Sequence, residues 1–295
     1  MNRIEIARSF CGILREWWMN SNLDAQKLER EYGKSFFRPD HFAIRTIDAC
    51  GFGLREAADL LATLGYARGG RWPIPEKHIM AWHFEPPGPF LEKIFVSCIQ
   101  LEKFPHAVQN CVKRNIVSIK EEAQNLAQAL SVPDHVGENE IAALARFFLE
   151  RKWVPGARDF QWLAKQKGTD ELCHIFAWGL IPNHFTILLK APDYRFGQYT
   201  SMPEFSRTLK KSLHISMKDK VEGNDEGVFC QTATKARQDV CEFSGASGNT
   251  VTCQWPRSYV EFAARGIDPK TNKRFEGFVP AQATEIFQMT KRRRT

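Results

Sequence analysis

Two short strings in this chain nearly repeat each other, and each stands at the head of the same run of predicted elements. The first reads Pro39-Asp40-His41-Phe42-Ala43-Ile44 and the second Pro182-Asn183-His184-Phe185-Thr186-Ile187, sharing the pattern P-x-H-F-x-I. After the first string, His41–Ile47 alternates as a strand does and Arg55–Leu64 carries a helical apolar spacing. Tyr66–Trp72, His78–Phe84 and Glu92–Ile99 then read as strands divided by Pro73-Ile74-Pro75 and Pro86-Pro87-Gly88-Pro89. After the second string, His184–Lys190 reads as an apolar strand, Met202–Leu213 as a helix opened by Pro203, and Ile215–Met217 as a short strand. Val228–Phe243 reads as a strand with a kink, and Val251–Arg265 contains the last one. The order is β-α-β-β-β twice, which points to duplication and to an α+β fold of two paired modules.

The remainder is predicted helical. Residues 1–40 form an N-terminal helical segment, with Phe10, Ile13, Leu14 and Trp17 spaced by three and four. The first module covers residues 41–100, a helical insertion or lid residues 101–170, the second module with a closing segment residues 171–290, and a basic tail residues 291–295. At 295 residues the chain has room for about two domains.

Duplication changes the weight of two histidines. A lone histidine at a strand end is more often structural, but His41 and His184 hold the same place in two modules. If the modules pair about a pseudo-twofold axis, the two face each other across a shared cavity. A facial set of two histidines and a carboxylate would leave metal positions open for substrate and oxygen. Glu261 is the candidate carboxylate, because Tyr259-Val260-Glu261-Phe262-Ala263-Ala264 is otherwise apolar and burying an unpaired carboxylate is costly. The competing readings are an edge strand with Glu261 in water, or a buried pair with Arg257 or Arg265. Arg45 lies four residues beyond His41 on the same strand face, roughly 13 Å away by strand rise. There it could clamp a carboxylate through two parallel N–H bonds. The second module has Leu188 at that place, so the cavity is expected to be cationic on one side. His78 and His83 are expected on opposite strand faces, and Cys173-His174 are adjacent, so neither pair suits one ion. Glu92 and Glu285 are fallback carboxylates.

Composition removes several classes. Lysine and arginine exceed the acids by 41 to 34, but part of the excess is Lys291-Arg292-Arg293-Arg294, which suits a solvated tail. No zinc spacing, ribonucleoprotein motif or basic helix face marks a nucleic-acid module. The eight cysteines include no C-x-x-C pair and no secretory signal is evident, so the thiols are expected reduced and mostly buried. The most apolar stretch, Ile175–Leu189, is broken at Pro182 and too short to cross a bilayer. A protein of the cytoplasm without nucleic-acid or membrane partners is expected; the oligomeric state is left open.

Together the strings resemble the 2-oxoadipate dioxygenase/decarboxylase family, of vicinal-oxygen-chelate fold and related to hydroxyphenylpyruvate dioxygenase. The resemblance runs in order through His41-Phe42-Ala43-Ile44-Arg45, Lys93-Ile94-Phe95-Val96-Ser97, Pro182-Asn183-His184 and Gln231-Thr232-Ala233-Thr234. It continues through Tyr259-Val260-Glu261-Phe262 and Gly277-Phe278 to Ile286-Phe287. It implies a partly open barrel around iron(II) held by His41, His184 and Glu261, with Arg45 and Gln231 on the substrate. It further implies O2 and a 2-oxo dicarboxylic acid as partners, with 2-oxoadipate converted to 2-hydroxyglutarate and CO2, and Phe278–Phe287 closing the cavity. Two departures stand out: Cys98 occupies a place where the family usually has glutamate, and no glutamate follows Phe287. A glyoxalase-like isomerase or lyase with another divalent metal would use the same fold. A non-enzymatic module with a basic binding surface would leave the paired strings unexplained.

Overall fold

The structure, a computed structural model, describes residues 1–279. Helices α1 (Arg3–Ser21) and α2 (Leu23–Tyr32) precede β1 (Pro39–Ile47). Next come α3 (Leu54–Thr63), β2 (Ala67–Ile74), β3 (Ile79–Glu85) and β4 (Lys93–Ile99). The insertion supplies α4 (His106–Asn115), α5 (Lys120–Ala129), α6 (Glu138–Leu149), α7 (Ala157–Leu163) and α8 (Asp170–Trp178). Beyond it lie β5 (Pro182–Ala191), β6 (Tyr194–Arg195), α9 (Met202–Ser212), β7 (Glu222–Gly223) and β8 (Phe229–Ala233). The last three strands considered are β9 (Gln238–Ser244), β10 (Thr250–Pro256) and β11 (Tyr259–Arg265).

One curled sheet runs β2-β3-β4-β1-β5-β11-β8-β7, with β6 beside β5. Its two halves match strand for strand. β1 and β5 sit innermost and pair antiparallel, β4 is parallel to β1, and β11 is parallel to β5. In the β1–β5 register His41 faces Thr186, Phe42 faces Phe185 and Ala43 faces His184. Since His41 corresponds to His184 and Ala43 to Thr186, this register maps onto itself about the Phe42–Phe185 pair. That is the pseudo-twofold relation anticipated from the repeat, and the α+β fold of two βαβββ modules follows from it.

Strand period two then sorts side chains by face. Phe42, Phe185 and Phe262 point outward to the helices. Phe42 stacks on Phe185 at 4.9 Å, Trp18 of α1 meets Phe185 at 5.0 Å, and Phe205 of α9 meets Phe262 at 5.1 Å. Residues 41, 43 and 45 of β1, 184 and 186 of β5, and 259 and 261 of β11 share the inner face.

Several element predictions are corrected. The N-terminal segment is two helices, because the Asn22 side chain stops one and caps the next by accepting from Asp24 N and Ala25 N. Ile215–Met217 makes only a single bridge, Met217 to Thr234, and β7 follows it. The kinked run 228–243 is two strands in different sheets. β8 pairs with β11, whereas β9 leaves to form a separate hairpin with β10. The helical insertion extends through α8, directly before β5. Of the cysteines, seven are buried and Cys253 is partly so, all of them unbridged. Among the described residues no helix is long and apolar enough to cross a membrane. The basic tail, Glu285 and most of the Phe278–Phe287 segment lie outside the described residues.

Phe185 joins the central strand pair to α1, so Phe185→Ala is expected to destabilise the fold by about 3–5 kcal/mol. Equilibrium urea unfolding checks this; a loss below about 1 kcal/mol would contradict the packing described.

Candidate metal centre

Three adjacent strands place His41, Thr186 and Glu261 in one row across the inner face, since Thr186 pairs with His41 on one side and Glu261 on the other. His184 lies two residues before Thr186, opposite Ala43, whose small side chain leaves room for the imidazole. Nε2 of His41 is 3.3 Å from Glu261 Oε1, and Nε2 of His184 is 3.9 Å from Glu261 Oε2. One ligand atom from each of the three residues lies within 4.8 Å of the others. All three side chains are buried, so neither an edge strand in water nor a pair with Arg257 or Arg265 describes Glu261. Glu261 has one counterpart in the first half: Ala43 pairs with Phe95 as Thr186 pairs with Glu261. A phenyl ring therefore stands where a second carboxylate would be, and the site has one carboxylate, not two.

The polar atoms are arranged for a cation. Nδ1 and Nε2 of His184 and Oε2 of Glu261 are buried without hydrogen-bond partners, a costly state that a metal ion would relieve. Thr186 Oγ1 donates to Glu261 Oε1 at 3.2 Å and lies 3.1 Å from His41 Nε2. Asp40 Oδ1 lies 2.7 Å from His41 Nδ1, so in the neutral ring the proton sits on Nδ1 and the Nε2 lone pair faces Glu261. A carboxylate behind a histidine in this way orients metal-binding imidazoles. Asp40 is held in turn by Arg265, whose Nε and Nη2 donate at 2.6 and 2.7 Å. Burial opposes ionisation of Asp40, but Arg265 overrides it and keeps the carboxyl well below its usual range.

Electrostatics separate the two histidines. Burial pushes His184 down to about 3, leaving a neutral ring ready to ligate. Burial opposes protonation of His41 as well, yet the Asp40 and Glu261 carboxylates outweigh it and raise its pKa. Burial also works against an ionised Glu261, while the facing imidazoles and the Thr186 hydroxyl hold its pKa below the usual value. The donor set of two imidazoles and one ionised carboxylate fits a divalent first-row metal.

His41 and His184 line a small cavity, also walled by Arg45, Ser97, Asn183, Tyr259, Phe95 and Trp72, with Glu261 3.3 and 3.9 Å from their Nε2 atoms. Arg45 lies on the same face as His41, as strand period requires. Its charge is met by Glu171 of α8, with Nη1 2.8 Å from Oε2, and Lys77 stands 3.8 Å from the same carboxylate. Gln231 shares the inner face but does not line the cavity; its Nε2 donates to Glu222 at 2.8 Å. Glu92 pairs with Arg15. His83 accepts from Trp72 Nε1 at Nδ1, so its Nε2 carries the proton toward Glu85. Gly69 makes room for that ring, since a Cβ there would lie 2.2 Å from His83 Nε2.

The 2-oxoadipate dioxygenase/decarboxylase family model matches residues 18–286. The chain belongs to that family. A relative from Oryza sativa subsp. japonica, named 2-oxoadipate dioxygenase/decarboxylase, chloroplastic/amyloplastic, is 26% identical and aligns over 90% of this chain and 72% of its own. Two solved structures share the fold. The hydroxyglutarate synthase in complex with 2-oxoadipate from Oryza sativa has a TM-score of 0.77 at 21% identity, covering 98% of this chain and 93% of that one. A glyoxalase superfamily protein from Ralstonia eutropha JMP134 has a TM-score of 0.76 at 24% identity, covering 94% and 86%. These likenesses establish the vicinal-oxygen-chelate fold for this member of the 2-oxoadipate dioxygenase/decarboxylase family.

Sequence reasoning missed Asp40, Thr186 and Glu171. The first two were within reach, because Asp40 precedes His41 and Thr186 replaces Ala43 inside the very strings that repeat. Glu171 carries no local signal, as it comes from a helix remote in sequence.

Stripped protein is expected to bind one divalent ion per chain, and Glu261→Ala to weaken binding by more than about 100-fold, beyond the usual effect of an outer-shell partner. Anaerobic calorimetry with Co(II) measures both. Unchanged affinity in the variant would remove Glu261 from the site.

Proposed function

We propose that this protein is an iron(II) dioxygenase that oxidatively decarboxylates a 2-oxo acid, converting 2-oxoadipate and O2 to 2-hydroxyglutarate and CO2. The observation that carries this reading is the buried His41–His184–Glu261 set, whose two histidines line a cavity together with Arg45. The family membership and the 2-oxoadipate-bound rice neighbour support it. The six-carbon diacid and O2 account for the five-carbon hydroxy diacid and CO2 without an external reductant.

When bound, the metal supplies Lewis acidity, a template and redox chemistry. The protein's own groups do the rest. His41, His184 and Glu261 would hold the ion, and the cavity beside the two histidines would take substrate and O2. Arg45, braced by Glu171, presents a guanidinium to one carboxylate of the diacid. With a dication on the three ligands, Glu261, Arg45, Glu171 and Lys77 cancel among themselves and leave two positive charges, the complement of a dianion. Phe95, Trp72, Ile74 and Phe278 wall the cavity and exclude water from the reacting centre.

The first test is anaerobic loading with iron(II), then 2-oxoadipate and oxygen, following O2 uptake and product mass, with His184→Ala as control. Uptake giving a five-carbon hydroxy diacid is expected in the wild type alone. Bound iron and an intact fold with no uptake from any 2-oxo acid would refute the dioxygenase and turn attention to isomerase or lyase chemistry. Arg45→Met is expected to raise KM for 2-oxoadipate by about 10- to 100-fold, the loss of a charged hydrogen bond, and to affect a monocarboxylic 2-oxo acid less. Equal losses for both acids would remove Arg45 from the distal carboxylate.

A further inference from the structure

Arg265, the last residue of β11, has a side chain only 1% exposed and spends its donors in two directions. Nε and Nη2 hold both carboxylate oxygens of Asp40 at 2.6 and 2.7 Å. Nη1 donates to the backbone carbonyls of Phe275 and Gly277 at 3.0 and 3.1 Å. Asp40 stands behind His41 at 2.7 Å. The carbonyls belong to the stretch that delivers Phe278 to the cavity, where its ring lies 5.3 Å from Phe95 and 5.7 Å from Trp72. A single planar cation thus joins the carboxylate that aims a metal-binding imidazole to the backbone that covers the cavity.

The stretch is also tied from its far side. Glu276 pairs with Lys93 at 3.0 Å and with Arg274. Neither pair hydrogen-bonds Arg265 or Asp40, and the Glu276 charge reaches Arg265 only through space.

We propose that Arg265 is a positioning residue that couples the seating of residues 275–278 over the cavity to the orientation of His41, so that metal capture and closure reinforce each other. This rests on reading His41 as a ligand. The physical cause is the rigidity of the guanidinium. Its N–H groups lie in one plane, so the carbonyls on one edge fix the angle of the fork offered to Asp40 on the other. If the stretch lifts, Nη1 is left buried without acceptors, an unfavourable state that the group escapes by turning, and the fork then leaves Asp40. Coupling of this kind is reciprocal: whatever factor seating adds to metal affinity, metal adds to seating.

The test uses the full chain, stripped by chelator and titrated anaerobically with Co(II) against a chromophoric competitor. Amide hydrogen exchange is followed with and without the ion. In the wild type, Co(II) is expected to slow exchange across residues 275–279. Arg265→Lys keeps the charge but not the fork, and is expected to lower Co(II) affinity by about 10- to 100-fold and to abolish the slowing. Glu276→Gln loosens the stretch from its far side and is expected to weaken Co(II) binding about fivefold or more. Exchange unaffected by Co(II) in the wild type, or wild-type affinity in Glu276→Gln, overturns the coupling while leaving the metal site standing. A wild-type protein that binds no Co(II) overturns both. Should Arg265→Lys fail to fold, wild-type exchange and Glu276→Gln still decide.

Discussion

Everything at the site depends on the antiparallel pairing of β1 with β5. It is the seam between two like halves, and its register is symmetric about Phe42 and Phe185. Slipping it by one residue would turn His41 or His184 to the helical side, since alternate residues of a strand face opposite ways. In register, one row of three strands carries His41, Thr186 and Glu261, and His184 follows two residues away. The stacked phenyl rings on the outer face and the ligands on the inner face are therefore one structural fact. Packing of Phe185 against Trp18 and Phe42 helps set where the histidines point.

The inner face is costly to build. It buries Asp40, His41, Arg45, Lys93, His184, Glu261 and Arg265, any of which would oppose folding if left alone. The charged groups are compensated pairwise: Asp40 by Arg265, Arg45 by Glu171, Lys93 by Glu85 and Glu276. At the site itself, the ring nitrogens of His184 and one oxygen of Glu261 have no hydrogen-bond partner.

Two like halves supply the frame, and the residues that differ between them supply the chemistry. Asp40 is matched by Asn183 in the second half, so only His41 is backed by a carboxylate. Phe95 stands where Glu261 stands, and Arg45 where Leu188 does. Each difference removes symmetry from a symmetric inner face and leaves it one carboxylate at the histidines and one arginine, the latter paired with Glu171. The helical insertion takes part as well. Its last helix, α8, brings Glu171 to Arg45 immediately before the chain enters β5.

Much of this was legible in the residues themselves. The paired P-x-H-F-x-I strings announce two like halves because a strand start carries its pattern locally, and two matching histidines with one carboxylate in an apolar strand mark a candidate ligand set by residue type alone. The element errors came where local pattern is indifferent to partner. Residues 228–243 look like one strand, but β8 and β9 pair with different neighbours, and pairing is a tertiary decision. The same holds for Arg45 and Arg265. Period two placed Arg45 on the ligand face correctly, yet nothing near either arginine names Glu171, Asp40 or the carbonyls of Phe275 and Gly277. By itself the sequence determined the fold class and singled out the His41, His184 and Glu261 group that the sheet brings together, because both rest on periodicity and residue chemistry. The tertiary structure alone decided which charges are compensated and what backs each ligand, because those contacts join segments that only the folded sheet brings together.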